Sequence, residues 1–263
     1  MRIGFQGEPG AFSEEAARTY FGGEIATVGF LDFDALVGAV DRREVAYGML
    51  PCENSIYGSI ARAYDLLLAF DGVTIAAETQ HAIEQCLIGP PGARMERVRT
   101  VRSHPVALEQ CRRFFAANPQ LRREVAEDTA GAVRDAVAHG DPAVAAIGPA
   151  LAAQRYGGEL LERAIQDETE NLTRFFVIAS RAHASDGERA CIAFVLAHEP
   201  GSLVRALATI AQRGLNLRSL VARPRAGRPF EYVFYAELDC PRELDAAALA
   251  TEISRDSRLL GRY

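Results

Sequence analysis

The sequence predicts an α/β protein of two domains, and three observations predict it. Up to about Ser180, short apolar runs bounded by Gly and Pro alternate with segments of helical periodicity, as strands and their covering helices do. From about Arg189 the order becomes strand, helix, two strands, helix, strand, the βαββαβ of a ferredoxin-like module. Between the two patterns "SRAHASDGE" is polar and contains Gly, as a domain boundary should. A length of 263 residues is enough to bury the cores of about two such domains.

The elements follow in order. "RIGFQG" is a strand that breaks at Gly7, Pro9 and Gly10. "FSEEAARTYF" is then a helix with Ser13 as its cap and Glu14 and Glu15 in its first turn. "VAYGMLP" is the next strand and "IARAYDLLLAF" a helix, whereas "VTIAAET" and "QCLIG" are short and apolar enough to be strands. Next come strand "RVRTV", helix "PVALEQCRRFFAAN", strand "REVAE", helix "AGAVRDAVAHG", strand "AVAAIG", helix "ALAAQRYG" and strand "LLERAI". In the second domain "ACIAFVLA" is a strand and "SLVRALATIAQRG" a helix ending at Gly214. "NLRSLVARP" and "FEYVFYAEL" are strands around the turn "RAGRP", "LDAAALATEIS" is a helix and "LLGRY" a last strand.

Charge and composition exclude several classes. A formal net charge of −6, with aromatics not interleaved with Lys and Arg, offers no stripe for a phosphate backbone, so no nucleic-acid partner is expected. "MRIGFQGEPGAF" meets Gly and Pro too early for a signal peptide, and no stretch is apolar for long enough to span a membrane, so a cytoplasmic protein is expected. The five cysteines lack a C-x-x-C pair and a His at zinc-finger spacing, so no metal is expected and buried thiols are. Cys52 lies beside a polar cluster, but a nucleophile there needs a base or a positive charge to form thiolate, and packing is the commoner role.

Three polar clusters each follow a strand and precede a helix: Glu53-Asn54-Ser55, Ser103-His104-Pro105 and Glu127-Asp128-Thr129-Ala130-Gly131. In open α/β sheets ligands bind outside the carboxyl ends of strands, where helix N-termini offer free N–H groups. Ser103, Asp128 and Thr129 read individually as N-caps; three clusters at equivalent points favour a shared anion cleft. Gln166, Asp167, Glu168, Glu170 and Asn171 form a polar loop before "TRFFVI". If Thr173 is already extended, Thr173 and Phe175 point to one side and Arg174 to the other.

The segments "FQGEPGAFSEEAA", "LPCENSIYGSIARAYDLL", "VRSHPVALEQC", "EDTAGA" and "NLTRFFVIA" resemble the prephenate dehydratase family along essentially the whole chain, and "PGSLVRAL" and "ARP" are similar to an ACT regulatory domain. The resemblance implies a catalytic domain over 1–181, built like a type II periplasmic binding protein. Its lobes would be about 1–76 with 167–181, and 77–166, with the ACT domain at 189–263. It implies conversion of prephenate to phenylpyruvate with loss of water and CO2, driven by aromatisation and needing no cofactor, metal or covalent nucleophile. Thr173 would contact the leaving hydroxyl as the principal catalytic residue, with Glu53, Asn54 and Ser55 lining the first lobe. Ser103, His104, Asp128, Thr129, Ala130 and Gly131 would face them and hold a dianionic substrate, with Asn171, Arg174 and Phe175 alongside. Glu53 reads equally as a proton-carrying carboxyl or as the ionised partner of an arginine.

Phenylalanine is the effector the resemblance implies. Backbone N–H groups at Gly201, Ser202 and Leu203 would take its carboxylate; Leu203, Val204 and Leu217 would surround its ring, with Asn216 at the turn and Arg223 and Pro224 shaping the strand end. A homodimer or homotetramer is expected with it. Two departures from the family pattern stand out. The first loop reads Gly7-Glu8-Pro9-Gly10-Ala11-Phe12, similar to plant arogenate dehydratases, so arogenate is the alternative substrate; the tail has Val221-Ala222 where Glu-Ser is common, which bears on feedback control. Two readings of other classes are a solute-binding protein, which would normally be exported, and a non-catalytic cytosolic amino-acid sensor.

Overall fold

The computed structural model describes residues 1–22, 24–183 and 185–263; Ala184, inside the predicted linker, lies outside the described residues. The strands are β1 (Arg2–Gln6), β2 (Ala26–Phe30), β3 (Tyr47–Asn54), β4 (Gly58–Ser59), β5 (Val73–Ala82), β6 (Cys86–Gly89), β7 (Thr100–Ser103), β8 (Arg122–Val125), β9 (Val144–Gly148), β10 (Glu159–Glu162), β11 (Leu172–Ser180), β12 (Arg189–Val195), β13 (Leu217–Pro224), β14 (Tyr232–Asp239) and β15 (Ser257–Arg262). The α-helices are α1 (Phe12–Phe21), α2 (Phe33–Asp41), α3 (Ala61–Ala69), α4 (Pro105–Glu109), α5 (Arg112–Ala117), α6 (Thr129–His139), α7 (Ala150–Tyr156), α8 (Ser202–Gln212) and α9 (Ala246–Ile253). Two compact units result, each built from three stretches of chain.

The first unit gathers 1–32, 54–57 and 80–174. Its five-stranded sheet runs β10-β6-β9-β7-β8, with β7 parallel to β8 and β9 and with β6 antiparallel to β9 and β10. Side chains two apart share a face. Leu87 on β6 and Ala145 and Ile147 on β9 therefore pack with Phe114 and Phe115 on one side. Cys86, Ile88 and Ala146 meet Ala130, Val133 and Ala152 of α6 and α7 on the other. Both faces are covered, as the apolar strands require. In the same unit β1 pairs in parallel with β2, from Arg2↔Ala26 to Gln6↔Phe30. The loop after β1 approaches α7 so closely at Gly10, where φ is +95°, that a Cβ would sit 2.9 Å from Ala152 Cα.

The second unit gathers 33–53, 58–79 and 175–263, with strand order β13-β14-β12-β15-β5-β11-β3. The antiparallel set β13-β14-β12-β15 is the ferredoxin-like order, and Ile192, Phe194, Ile210, Leu238, Leu249 and Ile253 fill the space beneath α8 and α9. This set continues into β5 through the parallel pair Gly261↔Ile75. Helix α3 joins it through side chains. Tyr64 Oη and Tyr263 Oη donate to the buried Glu237 carboxylate at 2.9 and 3.1 Å, and Arg223 grips Asp65 at 3.2 and 2.8 Å.

Several elements differ from their sequence expectations. Ser13 does not cap α1: Ala11 holds the N-cap position and Ser13 is buried inside the first turn. The single helix expected over "PVALEQCRRFFAAN" is two, broken at Gln110 and Cys111. The break has a distant cause, because Asp167 donates its N–H to Gln110 O at 2.6 Å while its carboxylate accepts from the N–H groups of Arg112 and Arg113. A carboxylate remote in sequence thus caps α5. The last expected strand of this region stops at Glu162, and β2 and α2 had no counterpart in the sequence pattern.

Candidate active site

Asn54 ends β3 and organises the first part of the site. Its Oδ1 accepts from the N–H groups of Ile56 and Tyr57, at 3.0 and 3.2 Å, which fixes which end of the amide is which. Nδ2 must then face the start of β11, where its two N–H bonds are shared among Asn171 Oδ1 (2.9 Å), Leu172 O (3.2 Å) and Thr173 Oγ1 (3.1 Å). Ser55 closes the same seam: its N–H donates to Leu172 O at 2.8 Å, and its Oγ accepts from Leu172 N and donates to Glu170 O, both at 3.0 Å. The sequence clusters "ENS" and "NLT", 119 residues apart at Asn54 and Thr173, are therefore one surface. Thr173 is extended and half-buried; since its oxygen already accepts from Asn54, its single proton is left to donate. Asn171 is 1% exposed, and its Nδ2 is a buried donor without a protein partner.

The second part forms where β7, β8 and β9 end. Ser103 is fully buried and is the last residue of β7, with its Oγ donating to Ile147 O at 2.7 Å. It is not the N-cap that its position suggested. His104 is, with Nδ1 accepting from Val106 N at 3.2 Å, which leaves the ring proton on Nε2. Asp128 does cap α6, with Oδ1 taking the Gly131 N–H at 2.6 Å; the first-turn N–H groups of Thr129 and Ala130 remain. Gly148 packs so tightly on α6 that a Cβ would lie 3.0 Å from Thr129 O. Ser103, through Ile147, and Thr129, through Gly148, thus border the same strand end.

The segment entering β6 connects the two parts. Ile83 N donates to Asn171 O at 2.8 Å, and Cys86 pairs with Gly148. Three residues reach at most about 10 Å, so the backbone at Asn171 and the strand end at Gly148 are joined by one short segment. A cavity of about 510 Å³ opens beside the Asn54 turn, lined by Ile56 and Tyr57 and by Gln110 and Gln166; neither Thr173 nor the start of α6 lines it. Gln110 was not among the expected site residues. Its signal is a polar side chain on the apolar stripe of "PVALEQC", and it is 8% exposed.

Other expected residues stand differently. Phe175 is 1% exposed and packs in the second unit rather than facing a ligand. Arg174 and Glu53 are half-buried and already hold interactions. All five cysteines are buried and free, and burial pushes the thiols of Cys86 and Cys111 up to about 12, which keeps them inert. The first loop is tied down by Glu14, fully buried within α1. Burial opposes its charge, but the Gly10 N–H, Arg18, Thr27 and Arg155 together outweigh it and hold the carboxyl below its ordinary range. Of the expected effector residues, Gly201 is left-handed at the start of α8, Ser202 is buried and Val204 is exposed. Ser202 and Leu203 line one cavity and Asn216 another, with Asn216 Nδ2 donating to Asp239. Leu217 pairs with Leu238, and Arg223, one residue before Pro224 at the end of β13, is bound to Asp65.

A half-buried threonine hydroxyl, oriented amides and free helix N–H groups thus gather on one α/β scaffold, the polar equipment of a small-molecule enzyme. The chain belongs to the prephenate dehydratase family, whose description, Prephenate dehydratase, matches residues 3–183. It is 36% identical over its full length to the Arabidopsis thaliana protein named arogenate dehydratase/prephenate dehydratase 1, chloroplastic, of which it covers 72%. Among solved structures it is similar to one titled as GqqA, a novel type of quorum quenching acylases (TM-score 0.89, 30% identity, 99% of this chain and 97% of that one). It is also similar to a prephenate dehydratase from Arthrobacter aurescens in complex with L-Phe (TM-score 0.89, 25% identity, 99% and 89%).

Proposed function

We propose that Thr173 and its neighbours convert prephenate to phenylpyruvate, water and CO2 in a cytoplasmic route to phenylalanine. The observation that carries the reading is the hydrogen bond from Asn54 Nδ2 to Thr173 Oγ1, which leaves the threonine proton for the departing ring hydroxyl. Negative charge develops on that oxygen only as its bond to the ring breaks, so a donor held there stabilises the transition state more than the ground state. A threonine hydroxyl is too weak an acid to give up its proton alone; it acts by hydrogen bonding or by relaying a proton. The ring carboxylate leaves as CO2 while its electron pair completes the aromatic ring. The other carboxylate keeps its charge throughout and needs donors already in place; the N–H of Thr129 at the start of α6 is one, and the amides that line the cavity beside Ile56 and Tyr57 are others.

The loop Glu8-Pro9-Gly10-Ala11 and the plant relative's name make arogenate the alternative substrate to test. Purified protein given prephenate should accumulate phenylpyruvate, read by its absorbance, with arogenate run in parallel. No product from either would overturn the reading. The relative titled an acylase adds no second reading: the thiols of Cys86 and Cys111 are held protonated, and Thr173 is tied to an amide rather than to a base.

For regulation we propose that residues 189–263 act as an ACT domain that binds phenylalanine in a homo-oligomer; the L-Phe complex of the Arthrobacter relative supports this. Gly201–Leu203 and the Asn216–Leu217 turn lie at opposite ends of α8, 11 residues or about 16 Å long. An effector touching both would take them from two copies. The Arg223 guanidinium, committed to Asp65 on α3, would carry the effector's influence rather than contact it.

A further inference from the structure

Gln85 belongs to no motif of the sequence, yet two amides of the cavity converge on it. Its backbone N–H donates to Gln166 Oε1 at 2.9 Å, and its side-chain Nε2 donates to Gln110 Oε1 at 2.9 Å. Each partner has its carbonyl end occupied, so each is left with its NH2 end for the cavity that both line. A backbone N–H cannot reverse its role, which fixes the orientation of Gln166 outright. Gln85 itself is 2% exposed, and its Oε1 is buried with no partner. Burying an unpaired amide oxygen is unfavourable, so this glutamine is not there to stabilise the core, which an apolar residue of the same size would fill at lower cost.

We propose that Gln85 is a positioning residue whose side chain turns Gln110, beside a backbone N–H that turns Gln166, so that both amides present N–H donors to the side-chain carboxylate of the substrate. This rests on the dehydratase reading of the same cavity. The charged residues of the rim, Arg112 and Arg113 with Glu109, Asp167 and Glu168, are largely paired with each other, so neutral amides are the donors available inside. The side-chain carboxylate neither gains nor loses charge in the reaction. Donors aimed at it bind ground state and transition state alike and appear in KM.

The test is steady-state kinetics with prephenate, begun with the unaltered protein, whose turnover establishes the dehydratase reading independently. Gln85→Leu should raise KM about 10-fold, the cost of one misdirected bond to a charged group, with kcat within about threefold. Gln85→Glu, which can only accept once ionised, should turn the Gln110 amide around and raise KM further as pH is raised. Gln85→His, which still carries an N–H, should recover most of the affinity lost in the leucine variant. Adding Gln110→Leu to Gln85→Leu should cost little more, because Gln85 acts through Gln110. If changes in the core prevent folding, Gln166→Leu at the cavity edge removes the second donor and should raise KM alone. Unchanged KM in the leucine and glutamate variants, or in Gln166→Leu, overturns the proposal, as does a fall in kcat at constant KM.

Discussion

Thr173 and Asn54 make a pair whose proton direction can be tested. Thr173→Ala should lower kcat by about 10²-fold with KM barely changed, because the lost bond forms fully only as the hydroxyl departs. Near-normal turnover would remove Thr173 from the chemistry. Asn54→Asp is the sharper variant: its carboxylate still accepts from the Ile56 and Tyr57 N–H groups, so the turn survives, but it now draws the Thr173 proton toward itself. Its kcat should fall as far as that of Thr173→Ala. Thr173 and Asn54 were both legible in the sequence as members of polar clusters. Gln85 and Gln110 were not, because a buried amide on an apolar stripe differs from a core position only once its partners are known.

Glu14 gives a second prediction at this scale. Its carboxyl titrates below its ordinary value of 4.5 in the folded protein, so its contribution to stability is complete above that value and is lost as pH falls through the folded one. Glu14→Gln should therefore lower Tm at neutral pH, and the gap from the unaltered protein should close on acidification below 4.5. A pH-independent gap would mean that packing, not charge, is what Glu14 supplies.

At the scale of elements, the end of a helix can serve folding, binding or both. Asp128→Ala should cost about 1 kcal/mol of stability through the lost cap. It should also raise KM if the first turn of α6 receives a carboxylate; denaturant midpoints and kinetics measured together separate the two effects. Ser103 plays no such part, since its hydroxyl is spent on Ile147 O across the sheet. Such a bond is invisible in sequence: serine before a helix looks like a cap whether or not it points along the chain. The same limit explains the split of the helix at Gln110. Its periodicity is continuous through "PVALEQCRRFF", and only the arrival of Asp167, from a distant loop, decides that α5 begins afresh. The βαββαβ tail was fully legible, because its core pattern is local to each element.

At the scale of the whole molecule, the proposed regulation requires that an effector bound to residues 189–263 alter the site. Helix α3 follows the Glu53–Ser55 cluster after the short strand β4 and is held by Arg223 through Asp65 and by Glu237 through Tyr64. Calorimetry should detect phenylalanine binding, with substrate weakening it by the factor by which phenylalanine weakens substrate, a coupling of about 1–3 kcal/mol. Arg223→Ala should retain phenylalanine binding and lose most of that coupling. Absence of heat at millimolar phenylalanine, with unaltered kinetics, would make the tail an assembly module instead.

Gly261 touches Ile75 so closely that any side chain there would collide with the Ile75 backbone. The consequence reaches beyond packing, into how this gene product can be dissected. Cutting at the linker to isolate residues 1–181 would remove Gly261 from Ile75 and the Glu237 and Arg223 partners from Tyr64 and Asp65, and uncover the apolar start of β5 to another chain. Such a fragment should be recovered mainly as aggregate, whereas the intact chain carrying Arg223→Ala stays dispersed. Size-exclusion profiles of the two would tell an inactive catalyst from a merely insoluble one.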